Sequence, residues 1–299
     1  MAETVRNTAT AMLKKKYPAC AYVIRDLIGE GLTLFGGKPK LGKSVFALNV
    51  AIAVASGGDY LGREVRKGVC AYLSLENGER TTANRLQEMV GRFGDSVDTD
   101  NLLIENQWEE RQPLQCLDRY LSENDDVTFV IVDTLMKFFS KIGTSYNDAY
   151  TQIEALRSIS FAHEVPILVV DHMVKAESKN LVDMFSNSIG KPGAADNLMG
   201  LLYSKKYDAE LHAMGRDVDT IIPLQKVPEY IFWEELKDTS EAKYAPILTY
   251  LKGKDGLFTP KDIARETGLD AVYCRKMLSR WSREKRLVEN VRHGQYRSI

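Results

Sequence analysis

Cysteine is scarce in this chain and is not arranged for bridging or metal binding. The four cysteines, Cys20, Cys70, Cys116 and Cys274, are scattered without a C-x-x-C pair, and the four histidines do not stand beside them at metal-ligand spacings. A disulfide framework and a structural zinc site are therefore not predicted. The pattern favours a reducing, cytoplasmic compartment.

Long hydrophobic runs are also missing. The longest apolar stretch, around residues 45–55, is too short to span a bilayer and contains Asn49. The first eighteen residues show no charged segment followed by an apolar core, so we expect no signal peptide. No membrane partner is predicted.

The chain has little net charge, but its charges are unevenly distributed. The formal net charge of the 299 residues is −1, yet residues 243–299 carry thirteen Lys and Arg against six Asp and Glu, a net of +7. A basic appendage on an acidic body is typical of proteins that contact nucleic acid. With 44% hydrophobic and 27% charged residues, the composition is that of a globular protein.

Glycine and lysine are concentrated in one short segment, FGGKPKLGKSVF at residues 35–46. Residues 37–44 match G-x-x-x-x-G-K-[ST] without a mismatch, between a predicted strand (EGLTLF) and a predicted helix (SVFALNVAIAVA). Such a loop turns backbone N–H groups toward phosphates at a helix N-terminus. Lys43 would reach the β- and γ-phosphates, and the Ser44 hydroxyl would bind Mg²⁺. The alternative is a flexible basic turn that matches by chance.

The motif predicts ATP and Mg²⁺ as cofactors. The predicted nucleotide-binding residues here are Gly37, Lys38, Pro39, Lys40, Leu41, Gly42, Lys43, Ser44 and Val45.

Apolar strand-like segments alternate with helical ones from Gly31 to about Glu235, which predicts an α/β fold. The candidate strands are GLTLF, GVCAYLSL, VTFVIVD, VPILVVD, NLMGLLYS, AELHAM and TIIPLQKV. Doubly apolar runs separated by helices indicate a mainly parallel sheet covered on both faces, and the later, closely spaced strands indicate an antiparallel extension. We predict a helical lead-in at 1–28, a main domain at 29–238 and a small basic domain at 243–299. The polar segment 173–193 predicts a long loop.

Three polar residues follow predicted strands at the edge where such sheets bind ligands. Asp133 ends FVIVD and is placed to hold Mg²⁺ with Ser44. Glu76 follows AYLSL as a candidate base for the attacking water, and His172 follows ILVVD as a candidate sensor of the γ-phosphate. Each residue also has an alternative interpretation. Asp133 would then be a cap or turn residue, Glu76 a solvated carboxylate and His172 a structural histidine.

The motifs, in order, resemble those of the RepA-like, RecA-fold ATPases. This group is related to the ring-forming replicative helicases and is common on plasmids, phages and other mobile elements. The resemblance rests on GLTLFGGKPKLGKS, AYLSLENGERTTANRL, VIVDTL, ILVVDHMVK and GAADNLMGLLYSKKYDAELHAMGRD, and it spans roughly residues 22–225.

This resemblance implies a RecA-like P-loop NTPase core and single-stranded DNA as a partner. It also implies a homo-oligomer, for which the hexamer is one expected form. It implies catalytic roles for Lys43, Glu76, Asp133 and His172. Arg85 would lie near the adenine base. Arg216 in MGRD would reach the neighbouring subunit's γ-phosphate, where a fixed positive charge stabilises the transferred phosphoryl group. Lys205 and Lys206 are a weaker candidate pair for that role.

Two departures from the family pattern concern the expected coupling of ATP to DNA. The family commonly shows two adjacent histidines after the fourth strand, and here the first position is Asp171. The motif after the loop is usually richer in Ser and Gly than GKPGAADN. The sequence therefore gives more support to ATP hydrolysis than to translocation along DNA.

The basic tail resembles a winged-helix domain that contacts duplex DNA. TPKDIARETGL has Thr259 as N-cap, Pro260 at the first helical position and Gly268 as terminator. A longer helix and two short strands follow. A winged helix places its second motif helix in the major groove. The predicted DNA-binding residues are Tyr273, Arg275, Lys276, Arg280 and Arg283 on the helix and Arg292 and Arg297 on the wing. The alternative is a protein-interaction domain with a solvated basic face.

Three functions of different classes follow from these motifs. The first is an ATP-hydrolysing, DNA-stimulated helicase or helicase-like replication protein of a mobile element. The second is a DNA-binding replication or regulatory factor that uses ATP as an assembly switch and does not unwind. The third is a small-molecule kinase, which is disfavoured because no arginine-rich lid is evident.

Overall fold

The computed structural model describes most of the chain in two units, residues 1–235 and 236–299. The described residues are 8–14, 22–93, 97–139, 146–173, 181–185, 190–216, 218–227, 231–236, 247, 249–251, 256–283, 288–292 and 294–298. Within these ranges the side chains of 11, 12, 92, 93, 146, 273, 280 and 283 lie outside the description.

Strands and helices alternate through the first unit. Its described strands are β1 (Leu32–Gly37), β2 (Gly58–Tyr60), β3 (Arg63–Val65), β4 (Val69–Ser74), β5 (Leu102–Glu105), β6 (Val127–Asp133), β7 (Ile167–Val170), β8 (Asn197–Leu202), β9 (Ala209–Gly215), β10 (Asp219–Val227) and β11 (Phe232–Glu235). Its described helices are α1 (Ala9–Lys14), α2 (Lys43–Ser56), α3 (Glu79–Phe93), α4 (Pro113–Glu123), α5 (Leu135–Phe138), α6 (Tyr146–His163), α7 (Leu181–Met184) and α8 (Gly190–Ala194).

A nine-stranded sheet in the order β11-β10-β9-β8-β1-β7-β6-β4-β5 forms the frame of this unit. The strands from β8 to β5 in that order are parallel, and β9, β10 and β11 continue the sheet antiparallel. Every predicted strand is found, and the prediction of a mainly parallel sheet with an antiparallel extension is confirmed.

Helices cover both faces of the sheet, which is why its central strands carry apolar residues in nearly every position. One core cluster packs α2 and α3 against the first face, together with the apolar residues of β10 and β11. A second cluster packs α4, α5 and α6 against the other face. Helix α2 is buried almost all round, and this explains its uniformly apolar sequence.

The register of the parallel strands aligns the ends of β4, β6 and β7 with a residue of β1 that lies two positions before that strand ends. Phe35 of β1 pairs with Val170 of β7, Val170 pairs with Asp133 of β6, and Asp133 pairs with Ser74 of β4. The residues that follow these strands therefore emerge side by side at one edge of the sheet. This edge contains the phosphate-binding motif between β1 and α2.

Strand β11 is fastened to α2 by one buried side chain. Asn49 accepts a hydrogen bond from the Trp233 N–H at its Oδ1 (3.0 Å) and donates one from Nδ2 to the Ile231 carbonyl (3.4 Å). The Trp233 ring is itself buried, and its Nε1 donates to the Gly42 carbonyl at 3.4 Å. The far antiparallel edge of the sheet thus folds over the start of α2.

The helical lead-in predicted for residues 1–28 is only partly helical among the described residues. Ala9–Lys14 form α1, whereas residues 22–28 form a tight reversal in which Ile24 bridges to Ile28 and to Val65. The Arg25 N–H donates to the Glu64 carbonyl, and the Arg66 N–H donates to the Val23 carbonyl. Because these backbone groups pair with the β3 segment, a helix is not available to them.

The segment 173–193, predicted as a long loop, contains two short helices in its described parts. These are α7 and α8, and α8 continues past the segment to Ala194.

The second unit is a small α+β domain with its own core. Its described elements are α9 (Pro260–Thr267), α10 (Ala271–Arg283), β12 (Val288–Arg292) and β13 (Gln295–Ser298), and the two strands are antiparallel. Thr259 caps α9 in a capping box with Asp262, and Gly268 ends the helix with φ of 72°. The predicted cap and terminator are confirmed, whereas the winged-helix assignment stays a prediction.

Two findings restrict the sites that the described residues can form. No helix among them is long and apolar enough to cross a bilayer. The same part of the chain holds no cluster of three or more His, Cys, Asp or Glu side chains suited to a metal ion. The predicted cytoplasmic location stays a prediction.

Replacing Asn49 with Ala should destabilise the first unit because it leaves the Trp233 N–H and the Ile231 carbonyl without their partner. The expected loss is about 1–3 kcal/mol in the free energy of unfolding, measured by urea denaturation. Asn147→Ala, on the exposed surface of α6, serves as the control and should change it by less than about 0.5 kcal/mol. Equal effects of the two substitutions would contradict the role of Asn49.

Candidate active site

The phosphate-binding motif forms the turn from β1 into α2. Gly42 is the N-cap of α2 with φ of 105°, a left-handed conformation that favours glycine. A Cβ atom at Gly42 would also lie 3.2 Å from the Trp233 ring. The backbone angle therefore favours glycine at this position, and any larger residue would also have to displace the Trp233 ring slightly.

Lys43 lies inside this turn and is only 6% exposed. Its Nζ donates hydrogen bonds to the carbonyls of Gly37 (3.0 Å) and Lys38 (3.3 Å) and lies 3.3 Å from His172 Nδ1. Burial lowers the pKa of Lys43, while the carboxylates of Glu76, Asp133 and Asp171 act to raise it. The ammonium group thus has carbonyl and carboxylate neighbours that favour its charged form.

Asp133 is buried at the end of β6, beside the start of α2. Its Oδ2 accepts a hydrogen bond from the Tyr72 hydroxyl at 2.6 Å, and its Oδ1 is buried with no hydrogen-bond partner among the described residues. Burial raises the pKa of Asp133, and the nearby Tyr72 and Ser44 hydroxyls oppose this. An unpartnered buried carboxylate oxygen next to a serine hydroxyl is the oxygen donor set that Mg²⁺ takes. Ser44 and Asp133 therefore fit the ion.

Tyr72 is a site residue that the sequence analysis missed. It lies in the apolar strand β4, where the pattern predicts only a core position. The available signal was its hydroxyl, because a buried tyrosine usually needs a hydrogen-bond partner. Burial and the Asp133 carboxylate hold the pKa of Tyr72 well above its usual range, so the hydroxyl remains a donor.

Glu76 and Arg85 lie on the β4 side of the same cleft. The Glu76 N–H donates to the Asp133 carbonyl at 3.1 Å, which fixes the residue beside β6, and its side chain is exposed. Arg85 projects from α3 into the cleft. The cleft has a volume of about 510 Å³ and is lined by Lys40, Gly42, Lys43, Ser44, Val45, Glu76, Asn77, Arg85, His172, Lys226, Val227, Ile231, Phe232 and Trp233.

The opposite wall of the cleft comes from β10, which the sequence analysis assigned only to the sheet, and from β11, which it did not predict. Val227, Ile231 and Phe232 supply its apolar surface, and the Lys226 Nζ lies 5.1 Å from the centre of the Trp233 ring. These residues lie far from the phosphate motif in sequence, and no local pattern connects the two. Their place in the site follows from the antiparallel extension of the sheet and from Asn49.

His172 follows β7 and lies on the Lys43 side of the cleft. The preceding Asp171 does not line the cleft; it is buried and pairs with Lys191 of α8 at 2.8 Å. The structure thus brings the phosphate motif, Glu76, Arg85 and His172 to one cleft, with Asp133 buried close to Lys43 and Ser44.

Arg216 lies at the opposite edge of the sheet from this cleft. It follows β9, whose end pairs with the start of β8, and its side chain is 72% exposed. Its guanidinium lies 3.4 Å from the buried Asp196, which also binds Arg157 and accepts the Leu32 N–H. Lys205 and Lys206 are exposed beyond the carboxyl end of β8. Arg216 does not contribute to the cleft of its own chain.

The predicted DNA-binding residues of the second unit are exposed wherever their side chains are described. Arg275 and Lys276 are exposed on α10, and Arg292 and Arg297 are exposed on the two strands, where Arg297 lies 3.5 Å from Glu289. The side chains of Tyr273, Arg280 and Arg283 lie outside the described residues.

Comparison with solved structures shows the fold of the first unit. One solved structure, described as an ATPase domain, matches with a TM-score of 0.55 and 14% identity over 70% of this chain and 85% of that one. A DnaB-like replicative helicase, solved in a study of its interactions with primase, matches with a TM-score of 0.56 and 15% identity. That match covers 69% of this chain and 57% of the helicase, so the chain spans less than two thirds of the helicase's length. The fold is that of the RecA-like P-loop NTPases.

No curated protein sequence matches the chain. The model of one family, described as AAA domain (AAA_25), matches residues 2–178, which is more than half of the chain. The matched part of the chain contains the phosphate-binding motif, Glu76, Asp133 and His172. The chain therefore belongs to the AAA domain family.

Proposed function

We propose that the chain is a Mg²⁺-dependent ATPase of the replicative-helicase type that works in DNA replication of a mobile element. The observation that supports this most is the convergence of Lys43, Glu76 and His172 on one cleft at the carboxyl edge of the sheet, with Asp133 buried close to Lys43. A phosphate motif by itself also fits kinases, but a carboxylate beside the phosphate position favours attack by water.

Each residue has a distinct task in hydrolysis. The backbone N–H groups of the non-proline residues among 37–44 and the Lys43 ammonium would bind the β- and γ-phosphates. Ser44 and Asp133 would hold Mg²⁺, which would neutralise phosphate charge when bound. Glu76 orients a water molecule and accepts its proton as the water oxygen bonds to the γ-phosphorus. The bond from that phosphorus to the bridging oxygen breaks in line with this attack, so that the products are ADP and inorganic phosphate.

The base of the nucleotide would lie between Arg85 and the wall formed by Val227, Ile231 and Phe232. An apolar wall and a guanidinium plane suit a flat aromatic ring, because one supplies dispersion contacts and the other stacks on it. His172, next to the Lys43 ammonium, would sense the γ-phosphate by a hydrogen bond.

Arg216 is proposed to act on the neighbouring subunit of a homo-oligomer, with hexamers as the assembly that the resemblance implies. Its exposure and its distance from its own cleft suit such a role. A head-to-tail interface that closes into a ring brings one surface of each subunit against a different surface of the next. The ring would hold single-stranded DNA, and the basic second unit would bind duplex DNA.

A second candidate is a replication or regulatory factor that uses ATP as an assembly switch. The observation that favours it is Asp171, which stands in the place of a family histidine and is paired with Lys191 away from the cleft. Unwinding of a forked duplex in the presence of ATP would support the helicase, whereas ATP-dependent assembly without unwinding would support the switch.

Glu76→Gln and Lys43→Ala should separate water activation from phosphate binding. Glu76→Gln should bind ATP nearly as tightly as the wild type but hydrolyse it about 100-fold or more slowly, because the phosphate loop is intact and the base is lost. Lys43→Ala should lose ATP binding. Phosphate release and the binding of a fluorescent ATP analogue measure the two effects, and a normal rate in Glu76→Gln would show that another group is the base.

Tyr72→Phe should raise the Mg²⁺ concentration needed for half-maximal hydrolysis by about tenfold, because the hydroxyl that orients Asp133 is removed. Tyr60→Phe is the matched control, since Tyr60 is also buried but its hydroxyl has no hydrogen-bond partner among the described residues. It should leave the Mg²⁺ requirement unchanged. Identical Mg²⁺ titrations for both variants would show that the Tyr72 hydroxyl does not contribute to Mg²⁺ binding.

Arg216→Ala should abolish most hydrolysis when alone and regain part of it when mixed with Lys43→Ala protein. In the mixture, an intact phosphate loop of one subunit meets an intact Arg216 of its neighbour. Phosphate release from mixtures at several ratios, with assembly followed by solution mass, measures this recovery. Absence of any recovery in assembled mixtures would argue against action between subunits.

Arg275→Ala in the full chain should weaken duplex DNA binding and reduce the steepness of its salt dependence by about one released counterion. Arg265→Ala provides the control, because Arg265 is an exposed arginine on α9 that is not a predicted contact. Fluorescence anisotropy at several salt concentrations measures both. If the wild-type chain binds no duplex at low salt, the protein-interaction alternative for the second unit is favoured.

A further inference from the structure

The two departures of the sequence from the RepA-like pattern meet in one buried ion pair. Asp171 stands in the place of a histidine, and Lys191 belongs to the divergent GKPGAADN segment. The Lys191 Nζ lies 2.8 Å from Asp171 Oδ2, and the two side chains are 15% and 2% exposed. Because desolvation offsets much of the attraction within a buried pair, such a pair often contributes more to placement than to stability.

This ion pair flanks the residue that faces Lys43. The Asp171 N–H donates to the Phe35 carbonyl at 2.8 Å, and the Met173 N–H donates to the Gly37 carbonyl at 3.3 Å. Between these anchors lies His172, whose Nδ1 is 3.3 Å from the Lys43 Nζ. The backbone of His172 is therefore held along β1, and the side chain before it is held by α8.

Charge explains why Asp171 needs a partner at this place. Its carboxylate is one of three that favour the charged form of Lys43. Without a counterion, the same carboxylate would repel the triphosphate that Lys43 is proposed to bind. Lys191 balances this charge from the side away from the cleft.

The pair also connects the two neighbours of the phosphate-loop strand. Asp171 follows β7, which is paired with one side of β1, and Lys191 leads through α8 into β8, which is paired with the other side. Asp196, just before β8, accepts the Leu32 N–H at 3.1 Å. The contact between Asp171 and Lys191 therefore links the segment that follows β7 to the helix that precedes β8, and β7 and β8 are the two strands that flank β1.

We propose that Asp171 and Lys191 form a positioning pair that holds His172 beside Lys43 by tying the segment after β7 to α8. Neither side chain touches the nucleotide in this proposal, which rests on the proposed ATPase function.

A double-mutant cycle tests the pair as a unit. Lys191→Met and Asp171→Asn should each lower kcat for ATP by about tenfold with KM changed less than about threefold. Each should also lower the affinity for ATPγS relative to ADP, because only the former carries a γ-phosphate. Lys191→Arg keeps the charge and should retain activity. The double variant should be less impaired than the product of the single effects, since it leaves no unpaired charge.

The pair Lys67 and Asp98 is the matched control, because it has the same residue types and the same 2.8 Å separation but is more exposed and lies outside the cleft. Lys67→Met should leave kcat and the affinity ratio unchanged. A kcat for Lys191→Met within twofold of wild type, or independent effects of the two substitutions, would overturn the proposal. If Lys191→Met does not fold, Lys191→Arg and the double variant carry the same comparison.

The outcome separates this inference from the function on which it rests. A wild-type protein without ATP turnover would overturn the ATPase function, and the ATPγS to ADP affinity ratio would still test the pair. If the wild-type protein is active and neither substitution changes kcat or the affinity ratio, only the proposal about the pair is overturned.

Discussion

The parallel hydrogen-bond register is the constraint on which the candidate site depends. It places Ser74, Asp133, Val170 and Phe35 in one row across four neighbouring strands. Two residues beyond this row lie Glu76, His172 and Gly37. Residues separated by more than a hundred positions in sequence thus meet because backbone pairing brings the strand ends level. A slip of one residue in any of these strands would reverse the faces of its side chains and remove one group from the cleft.

Burial of charge is the second organising feature. Lys43 is taken out of water among three carboxylates and two carbonyl groups, and each of those carboxylates has a different environment. Asp133 is buried with a tyrosine hydroxyl, Asp171 is buried with Lys191, and Glu76 is exposed. Three carboxylates around one ammonium group therefore differ in the partners that they have and in their access to solvent.

The sequence was most informative where function requires a local pattern. The phosphate motif, the polar residues at the strand ends and the cap of α9 could all be located, since each depends on residues close together in the chain. Tyr72 and the β10–β11 wall could not, because their roles arise from contacts between distant segments. The lead-in at residues 22–28 was predicted as helical, whereas its backbone groups pair with the β3 segment, a partner that lies far away in the sequence. The ion pair of Asp171 and Lys191 joins two departures that looked unrelated in the sequence.

The packing of Trp233 against Gly42 has a practical consequence. The three tryptophans of the chain lie in three different surroundings: Trp108 beside Tyr120 and Phe138, Trp233 against the phosphate loop, and Trp281 in the core of the second unit. Indole emission depends on the polarity and motion of the ring's neighbours. The protein thus carries a separate optical reporter for each region, and the Trp233 reporter lies within hydrogen-bonding distance of the loop that closes around a nucleotide's phosphates.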